Sequence, residues 1–353
     1  MQKKNYDNLK QDILKNRLPS LDYFRGIIIL LMIQGHLFRA LLDNGTKSAS
    51  WFRFHEYIHG VVAPGFLFLA GFLFYHTIHN KKSFDLIIKI RSFLGIIILG
   101  YFLHLPFFSL QKIIRLWGTG IEYKFLKMDI LQTIGFALLI SIFIWITLRR
   151  IFIPVIIIIA FFSIASPFLI NTPDNIFLAP FIDGNISQFP LTPWSFFLFL
   201  GILTSKFLKK FNLPIMILSI IIMLMNHMFP PIIRNIITDS GKVLFLFSIT
   251  QLFRHSSFHG LNHFLEASRE SLFLYMSHLM IIFGSTINPG LYYFFKEPFK
   301  MTTVLIFFIL LIILLYPSAY YLNKLKTNNI KKYNYVKYTI YLFLFLIFLL
   351  KKW

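Results

Sequence analysis

Residues 22–42 read DYFRGIIILLMIQGHLFRALL, an apolar segment that follows Arg25 and holds one ionisable group in its interior, His36. An ionisable side chain is costly where water is scarce, so its presence inside a membrane span indicates a functional site. On a helix that rises about 1.5 Å per residue, Arg25 and His36 lie roughly 16 Å apart, about half the hydrocarbon thickness of a bilayer. The segment therefore carries a cation near one face and an imidazole beyond the midplane.

The composition indicates an integral membrane protein. Hydrophobic residues make up 57% of the chain and charged residues only 14%, and apolar runs such as 151–170 approach the length that spans a bilayer. We predict an all-α, polytopic fold with a polar cytoplasmic N-terminal segment at 1–23 and one transmembrane domain at 24–353. The residues before Phe24 are too polar for a cleavable signal peptide, so we expect the first span to be an uncleaved anchor in a bacterial cytoplasmic membrane.

A hydropathy window of about 19 residues predicts 10 to 11 membrane-spanning helices. The segment at 242–257 is cut short by Gln251 and Arg254, and 231–253 is its alternative. Losing this span would reverse the orientation of everything after it. The predicted spans are 24–42, 57–79, 92–110, 129–148, 151–170, 190–208, 211–229, 242–257, 270–288, 301–323 and 335–350.

Lys and Arg residues between the spans favour a cytoplasmic N-terminus. With the N-terminus inside, the inner segments hold most of the 35 Lys and Arg residues, although a basic group at 112–127 lies in an outer loop. The net charge of +21 then serves topology and contact with anionic lipid. The basic residues are scattered between spans and form no stripe, which argues against nucleic-acid binding.

This topology brings several polar side chains to the outer half of the membrane. The first and ninth spans run outward, whereas the fourth and sixth start at the outer side. The order of the helices around the bundle cannot be read from the sequence, so contact between these groups stays open. The polar side chains expected at this level are His36, Asp129, Gln132, Trp194, Tyr275 and His278.

His36 and Asp129 have the chemistry of a catalytic pair. A neutral imidazole can take a proton from a hydroxyl or amine, and a carboxylate on its other nitrogen fixes the tautomer. We predict His36 as the base and Asp129 as the residue that orients it. The alternative is a core histidine that donates a hydrogen bond to a neighbouring helix.

Other chemistries have little support. The chain has no Cys, which excludes disulfides, thiolate zinc sites and a cysteine nucleophile. We predict no metal site, since no histidine pair at i, i+4 spacing has a nearby carboxylate in a setting that suggests zinc, apart from the weak pair His255 and His259. No Gly-rich phosphate loop is present, so nucleotide hydrolysis is not expected. Small residues at 64–71 are typical of close helix packing.

Six motifs, in order along residues 17 to 285, resemble those of transmembrane acyltransferases. The chain is similar to the heparan-α-glucosaminide N-acetyltransferase catalytic-domain group and shares a first-span signature with the acyltransferase-3 family. The motifs are Arg17-Leu-Pro-Ser-Leu-Asp22-Tyr-Phe-Arg25-Gly26, the Arg25 to His36 spacing, Phe66-Leu-Phe-Leu-Ala-Gly71, Asp129-Ile-Leu-Gln132-Thr-Ile-Gly135, Pro193-Trp194 before Gly201, and Ser271-Leu-Phe-Leu-Tyr275-Met-Ser-His278.

The resemblance implies transfer of an acyl group, usually acetyl, from cytosolic acyl-CoA to a sugar on the far side of the membrane. The histidine and arginine of the family's first span correspond to His36 and Arg25. The sequence departs from the acyltransferase-3 pattern at Lys89-Ile-Arg91, where paired arginines are expected. If the active histidine of this group belongs in the first loop, His55 or His59 replaces His36 as the base.

The residues and the resemblance together suggest one mechanism, in which acetyl-CoA is a co-substrate and no cofactor is permanently bound. Cations at the inner face pair with the donor's phosphates, and His36 either deprotonates the acceptor or carries the acyl group itself. Acceptor identity, acyl chain length and oligomeric state stay open, and the alternative function is a proton-coupled transporter or flippase. The expected donor-binding residues are Arg25, Lys89 and Arg91, with Lys81 and Lys82, and the expected acceptor cavity is formed by Gln132, Trp194, Tyr275 and His278.

Overall fold

The computed structural model describes residues 18–80, 85–103, 109–120, 126–170, 175, 177–207, 212–253, 261–284, 289–295 and 297–351. Most of the N-terminal segment, Lys81, Lys82, His255 and His259 lie outside the described residues. Across the described ranges the chain is helical, apart from loops and one isolated β-bridge between Leu42 and Phe299. The helices are α1 (Pro19–Leu41), α2 (Asn44–Ser48), α3 (Ser50–His59), α4 (Val62–Asn80), α5 (Leu86–Leu103), α6 (Leu110–Leu116), α7 (Ile130–Thr147), α8 (Phe152–Leu169), α9 (Ala179–Ile182), α10 (Leu191–Phe207), α11 (Asn212–Leu224), α12 (Pro231–Leu252), α13 (Asn262–Ser268), α14 (Ser271–Phe283), α15 (Gly290–Phe294), α16 (Met301–Asn328) and α17 (Ile330–Leu350).

The protein is an all-α polytopic membrane protein, as predicted from its composition. In the described part of the chain, seven helical segments are long and apolar enough to cross a bilayer, and three shorter apolar helices accompany them. Every predicted span overlaps a described helix. The seven long segments are Pro19–Leu41, Ser50–His79, Leu86–Leu103, Ile130–Thr147, Arg149–Leu169, Met301–Asn328 and Ile330–Leu350.

The predicted span at 242–257 is wrong in its bounds. The helix α12 begins at Pro231 and ends at Leu252, close to the alternative at 231–253. Its first half carries polar side chains, which lower the hydropathy of any window placed there. Those groups bond locally: the Thr238 hydroxyl donates to the carbonyl of Arg234 at 2.9 Å, and Lys242 pairs with Asp239 at 2.8 Å. A helix can therefore continue through a stretch that a hydropathy window rejects.

Helix α1 lies at the centre of the bundle. It packs against α4, α12, α13, α14 and α16, and its apolar side chains are buried, among them Phe24, Ile28, Ile33 and Leu37. Side chains in the middle of α1 are consequently enclosed by other helices, whereas Arg39 near its end is exposed. By contrast, most side chains of α17 are exposed.

Helices α4 and α10 cross with their backbones in close contact. A Cβ on Gly71 would overlap the carbonyl oxygen of Leu198, and a Cβ on Gly201 would overlap the carbonyl oxygen of Phe68. Only glycine allows this approach, because any other side chain would push the two backbones apart. The small residues predicted to serve packing at 64–71 do so at Gly71.

Two contacts fix the relative directions of α1 and α14. Asp22 and Arg269, near the starts of the two helices, form a salt bridge of 3.0 Å, and His36 and His278 form a hydrogen bond of 2.7 Å farther along. The helices are therefore parallel, as predicted for the first and ninth spans. We call the two ends of this pair the Arg25 end and the His36 end.

Candidate active site

At the His36 end, the imidazoles of His36 and His278 form a hydrogen-bonded pair with nearly coplanar rings. The Nδ1 atom of His36 lies 2.7 Å from the Nε2 atom of His278, and the two ring centroids are 5.0 Å apart at an interplanar angle of 8°. His278 is fully buried on α14, whereas His36 on α1 is partly exposed. The parallel packing of α1 and α14 brings the two rings to the same level.

The hydrogen bonds assign the tautomers of this pair. The Nδ1 atom of His278 lies 2.8 Å from the carbonyl oxygen of Leu274, and a carbonyl can only accept. The Nδ1 atom of neutral His278 therefore carries the proton, and its Nε2 atom is an acceptor. His36 must then donate from Nδ1, which leaves a lone pair on its Nε2 atom. In the described part of the chain this nitrogen has no hydrogen-bond partner.

Asp129 reaches the histidine pair through Tyr275. The Tyr275 hydroxyl donates to Oδ2 of Asp129 at 2.8 Å, and the Tyr275 ring meets the His278 ring edge-on at a centroid distance of 5.9 Å. Asp129 was expected to orient His36 directly, but the Nδ1 group of His36 donates its hydrogen bond to Nε2 of His278.

The other two residues expected in the acceptor cavity, Gln132 and Trp194, lie around the start of α7, where Asp129 is. The Gln132 side chain is fully buried and accepts a hydrogen bond of 3.2 Å from the backbone amide of Asp129, where α7 begins. The Trp194 ring packs edge-on against Phe189 at a centroid distance of 4.7 Å. The Phe189 carbonyl in turn accepts from the Thr133 hydroxyl, so the start of α10 is tied to the start of α7. Gln132 and Trp194 therefore stabilise the start of α7 and the segment before α10. In the described part of the chain, no hydrogen bond or ring contact joins them to the histidines.

The helix α3 brings a second set of charged and polar side chains to the same end. Arg39 pairs with Glu56 through contacts of 2.6, 3.0 and 3.1 Å, and its Nη2 atom lies 3.0 Å from Nδ1 of His59. The His59 ring is 6.3 Å from the His36 ring between centroids. A Cβ on Gly35 would overlap the His59 ring, so glycine at this position lets His59 approach α1.

The remaining first-loop residues have structural contacts. The His55 ring stacks on Phe52 at a centroid distance of 5.6 Å and packs against Phe38 at 5.1 Å. Asp43 caps α2, and its hydrogen bonds to the hydroxyl and backbone amide of Thr46 hold its pKa below the usual value. Of the two loop histidines considered as alternative bases, His59 lies near His36.

The three expected donor-binding residues lie in three different surroundings. Arg25 pairs with Asp22 at 3.3 Å, and Asp22 also binds Arg269 at 3.0 Å. Lys89 instead lines a cavity of about 120 Å³ with Thr77 and apolar residues of α4, α5 and α7. Arg91 is exposed on α5.

Arg269 was not predicted as a donor-binding residue from the sequence. It directly precedes the ninth span, at the level of Arg25 in the first, and that position is the signal that could have identified it.

A prediction tests the contact between Tyr275 and Asp129. We expect Tyr275→Phe to lower kcat about tenfold, because a buried carboxylate then loses one of the donors that hold it beside the histidine pair. Tyr293→Phe, at a side chain that is 67% exposed, is the matched control. Initial rates of acyl transfer measure the effect, and equal rates for the two variants would show that the hydroxyl has no role.

Part of the chain matches a family of known proteins. Residues 17–225 match the family model described as heparan-alpha-glucosaminide N-acetyltransferase, catalytic. The matched range includes His36, His59, Asp129 and Trp194 and ends before Tyr275 and His278. No curated protein and no solved structure matches the chain.

Proposed function

This chain belongs to the heparan-alpha-glucosaminide N-acetyltransferase catalytic-domain family, and from that premise we propose that it moves an acetyl group from cytosolic acetyl-CoA to a carbohydrate acceptor. The acceptor is an amino or hydroxyl group of a glycan or a lipid-linked sugar on the outer side of the membrane. Acetyl-CoA is a co-substrate in this proposal, with no permanently bound cofactor.

The observation that carries the proposal is the free lone pair on His36 Nε2. The chain of hydrogen bonds from His36 through His278 to the Leu274 carbonyl holds the ring in one tautomer and one orientation. A general base needs this arrangement, since it must present an unprotonated nitrogen to the acceptor. The carboxylate of Asp129, held by Tyr275, stabilises the imidazolium that forms during transfer.

The transfer proceeds by acid–base catalysis. The acceptor nitrogen or oxygen attacks the thioester carbonyl carbon, the carbonyl electron pair moves to oxygen, and the acceptor proton moves to His36 Nε2. The carbonyl then re-forms, the carbon–sulfur bond breaks, and the CoA thiolate takes the proton from His36. The base thus returns to its starting state, and the acceptor's proton leaves on the CoA thiol.

Charges at the Arg25 end support entry of the donor there. Arg25 and Arg269 share the carboxylate of Asp22, and guanidinium groups suit paired binding of phosphate oxygens. Arg25 and His36 are eleven residues apart on one helix, which gives roughly 16 Å between phosphate-binding and reacting groups. In this proposal the N-terminus and the Arg25 end face the cytoplasm.

A second route uses the same nitrogen as a nucleophile. His36 Nε2 attacks the thioester carbon, the carbon–sulfur bond breaks, and CoA leaves as a thiolate that takes a proton from water. The acceptor then attacks the acetyl carbon, the bond from that carbon to His36 Nε2 breaks, and the acceptor proton passes to water. Both routes need the same lone pair, and they differ in whether acetyl-histidine forms when no acceptor is present.

The test is acetyl transfer by purified protein in lipid nanodiscs. Labelled acetyl-CoA is supplied with an alkyl glucosaminide, and the label is traced to the glycoside, to His36 or to neither. The proposal expects a labelled glycoside, and label on His36 without acceptor would select the second route. Unchanged acetyl-CoA, together with uptake of solute into vesicles, would instead indicate a transporter.

A further inference from the structure

The contact between Arg39 and His59 fixes which nitrogen of His59 carries its proton. The Arg39 guanidinium only donates, and its Nη2 atom lies 3.0 Å from Nδ1 of His59. Nδ1 therefore holds the lone pair, and the proton of His59 is on Nε2. Arg39 is itself held by Glu56, so this tautomer is set by two linked contacts.

The Nε2 group of His59 is a buried donor without a partner. His59 is 7% exposed, and in the described part of the chain its Nε2 atom makes no hydrogen bond. Leaving such a group unpaired costs about 1–3 kcal/mol, so it needs an explanation in a native structure. A ligand that accepts a hydrogen bond during function is one explanation, and the His36 ring lies nearby, at a centroid distance of 6.3 Å.

His36 and His59 present opposite groups at the same end of the bundle. His36 offers a lone pair on Nε2, and His59 offers a proton on Nε2, with 6.3 Å between the ring centroids. The ring edge of His59 that holds Nε2 lies against Gly35, the residue before His36. The Nε2 atom of His36 is thus suited to take the acceptor's proton. The Nε2 group of His59 is suited to donate a hydrogen bond to the carbonyl oxygen of the group being transferred.

We propose that His59 Nε2–H donates a hydrogen bond to the thioester oxygen and stabilises the oxyanion that forms there. This inference rests on the proposed acetyl transfer. When the acceptor attacks, the carbonyl electron pair moves to oxygen, and the His59 donor meets the new negative charge. His59 keeps its proton throughout, because Arg39 occupies its other nitrogen. The base is therefore His36, and His59 acts as the electrophilic partner.

The test compares two replacements of His59. Glutamine keeps an N–H donor near the position of Nε2 but cannot act as a base, whereas leucine removes the donor. We expect His59→Leu to lower kcat about 10²- to 10³-fold, the usual cost of losing an oxyanion donor. His59→Gln retains at least about a tenth of the activity, and KM for acetyl-CoA changes less than about threefold in both variants.

A control variant and the unaltered protein make the outcome decisive. His227→Gln, at an exposed histidine, is the matched control for the substitution itself, and acetyl-CoA-dependent thermal shifts show that each variant is folded. Equal loss in His59→Gln and His59→Leu would mean that His59 acts as a base or acyl carrier and would overturn the donor role. Full activity of His59→Leu would overturn it as well. Absence of transfer by the unaltered protein would instead overturn the proposed function.

Discussion

Replacing His36 with glutamine is expected to lower kcat for acetyl transfer about 10³-fold, within the usual contribution of a general base. Glutamine is close to histidine in size, but its carboxamide lies near the position of Nε2, so the bond that His36 Nδ1 makes to His278 is lost as well. A carboxamide cannot take a proton from the acceptor, and it cannot carry an acetyl group. The variant therefore removes the chemistry while it keeps the volume of the side chain between α1 and α14.

The rate of labelled product formation measures this effect, with His227→Gln as control. Binding of acetyl-CoA, followed as a rise in melting temperature, should be unchanged, because the proposal places the donor's phosphates at the Arg25 end. A His36→Gln variant that binds acetyl-CoA and turns over within about threefold of the unaltered protein would remove His36 from the mechanism.

Replacing Gly201 with leucine is expected to prevent correct packing of α4 against α10. A Cβ there would overlap the backbone carbonyl oxygen of Phe68, and a backbone atom cannot rotate away as a flexible side chain can. The helices must separate, at a cost of about 3 kcal/mol or more, since overpacking a rigid contact commonly costs 1–3 kcal/mol. Gly71→Leu should have the same effect, because Gly71 meets Leu198 at the same crossing.

Gly95→Leu is the matched control for both substitutions. A Cβ on Gly95 of α5 would meet no atom within 4 Å, and leucine has a higher helix propensity than glycine. We expect this variant to elute as a single peak and to melt near the unaltered protein, while Gly201→Leu gives little monodisperse protein. Equal yields and melting temperatures for the two variants would show that the crossing of α4 and α10 tolerates a side chain.

The helices could be predicted from the sequence, because hydrophobic runs of bilayer length have few other uses. The error at α12 has a physical cause: Thr238 and Ser240 bond to carbonyls one turn earlier, and Lys242 neutralises Asp239. Hydropathy counts each of these side chains as polar, whereas the helix satisfies them within itself. A window method cannot detect such local pairing.

The site could be predicted in part. The cost of an ionisable group in a span identified His36, and helix direction put Asp129, Tyr275 and His278 at the same level. The partner of each group depends on the order of helices around the bundle, which no single sequence reveals. For that reason Asp129 was assigned to His36, whereas the structure pairs Asp129 with Tyr275 and His36 with His278. The Arg39 contact that fixes His59 depends in the same way on how α3 folds back onto α1.

The most direct test of the account is acetyl transfer across a sealed bilayer. The protein is reconstituted in vesicles with its N-terminus outward, labelled acetyl-CoA is added outside, and a membrane-impermeant glucosaminide is enclosed. We predict labelled N-acetyl product inside the vesicles, and less than about a hundredth of it with His36→Gln. Acetylated product of equal amount in both preparations, or none in either while solute crosses the membrane, would contradict the account.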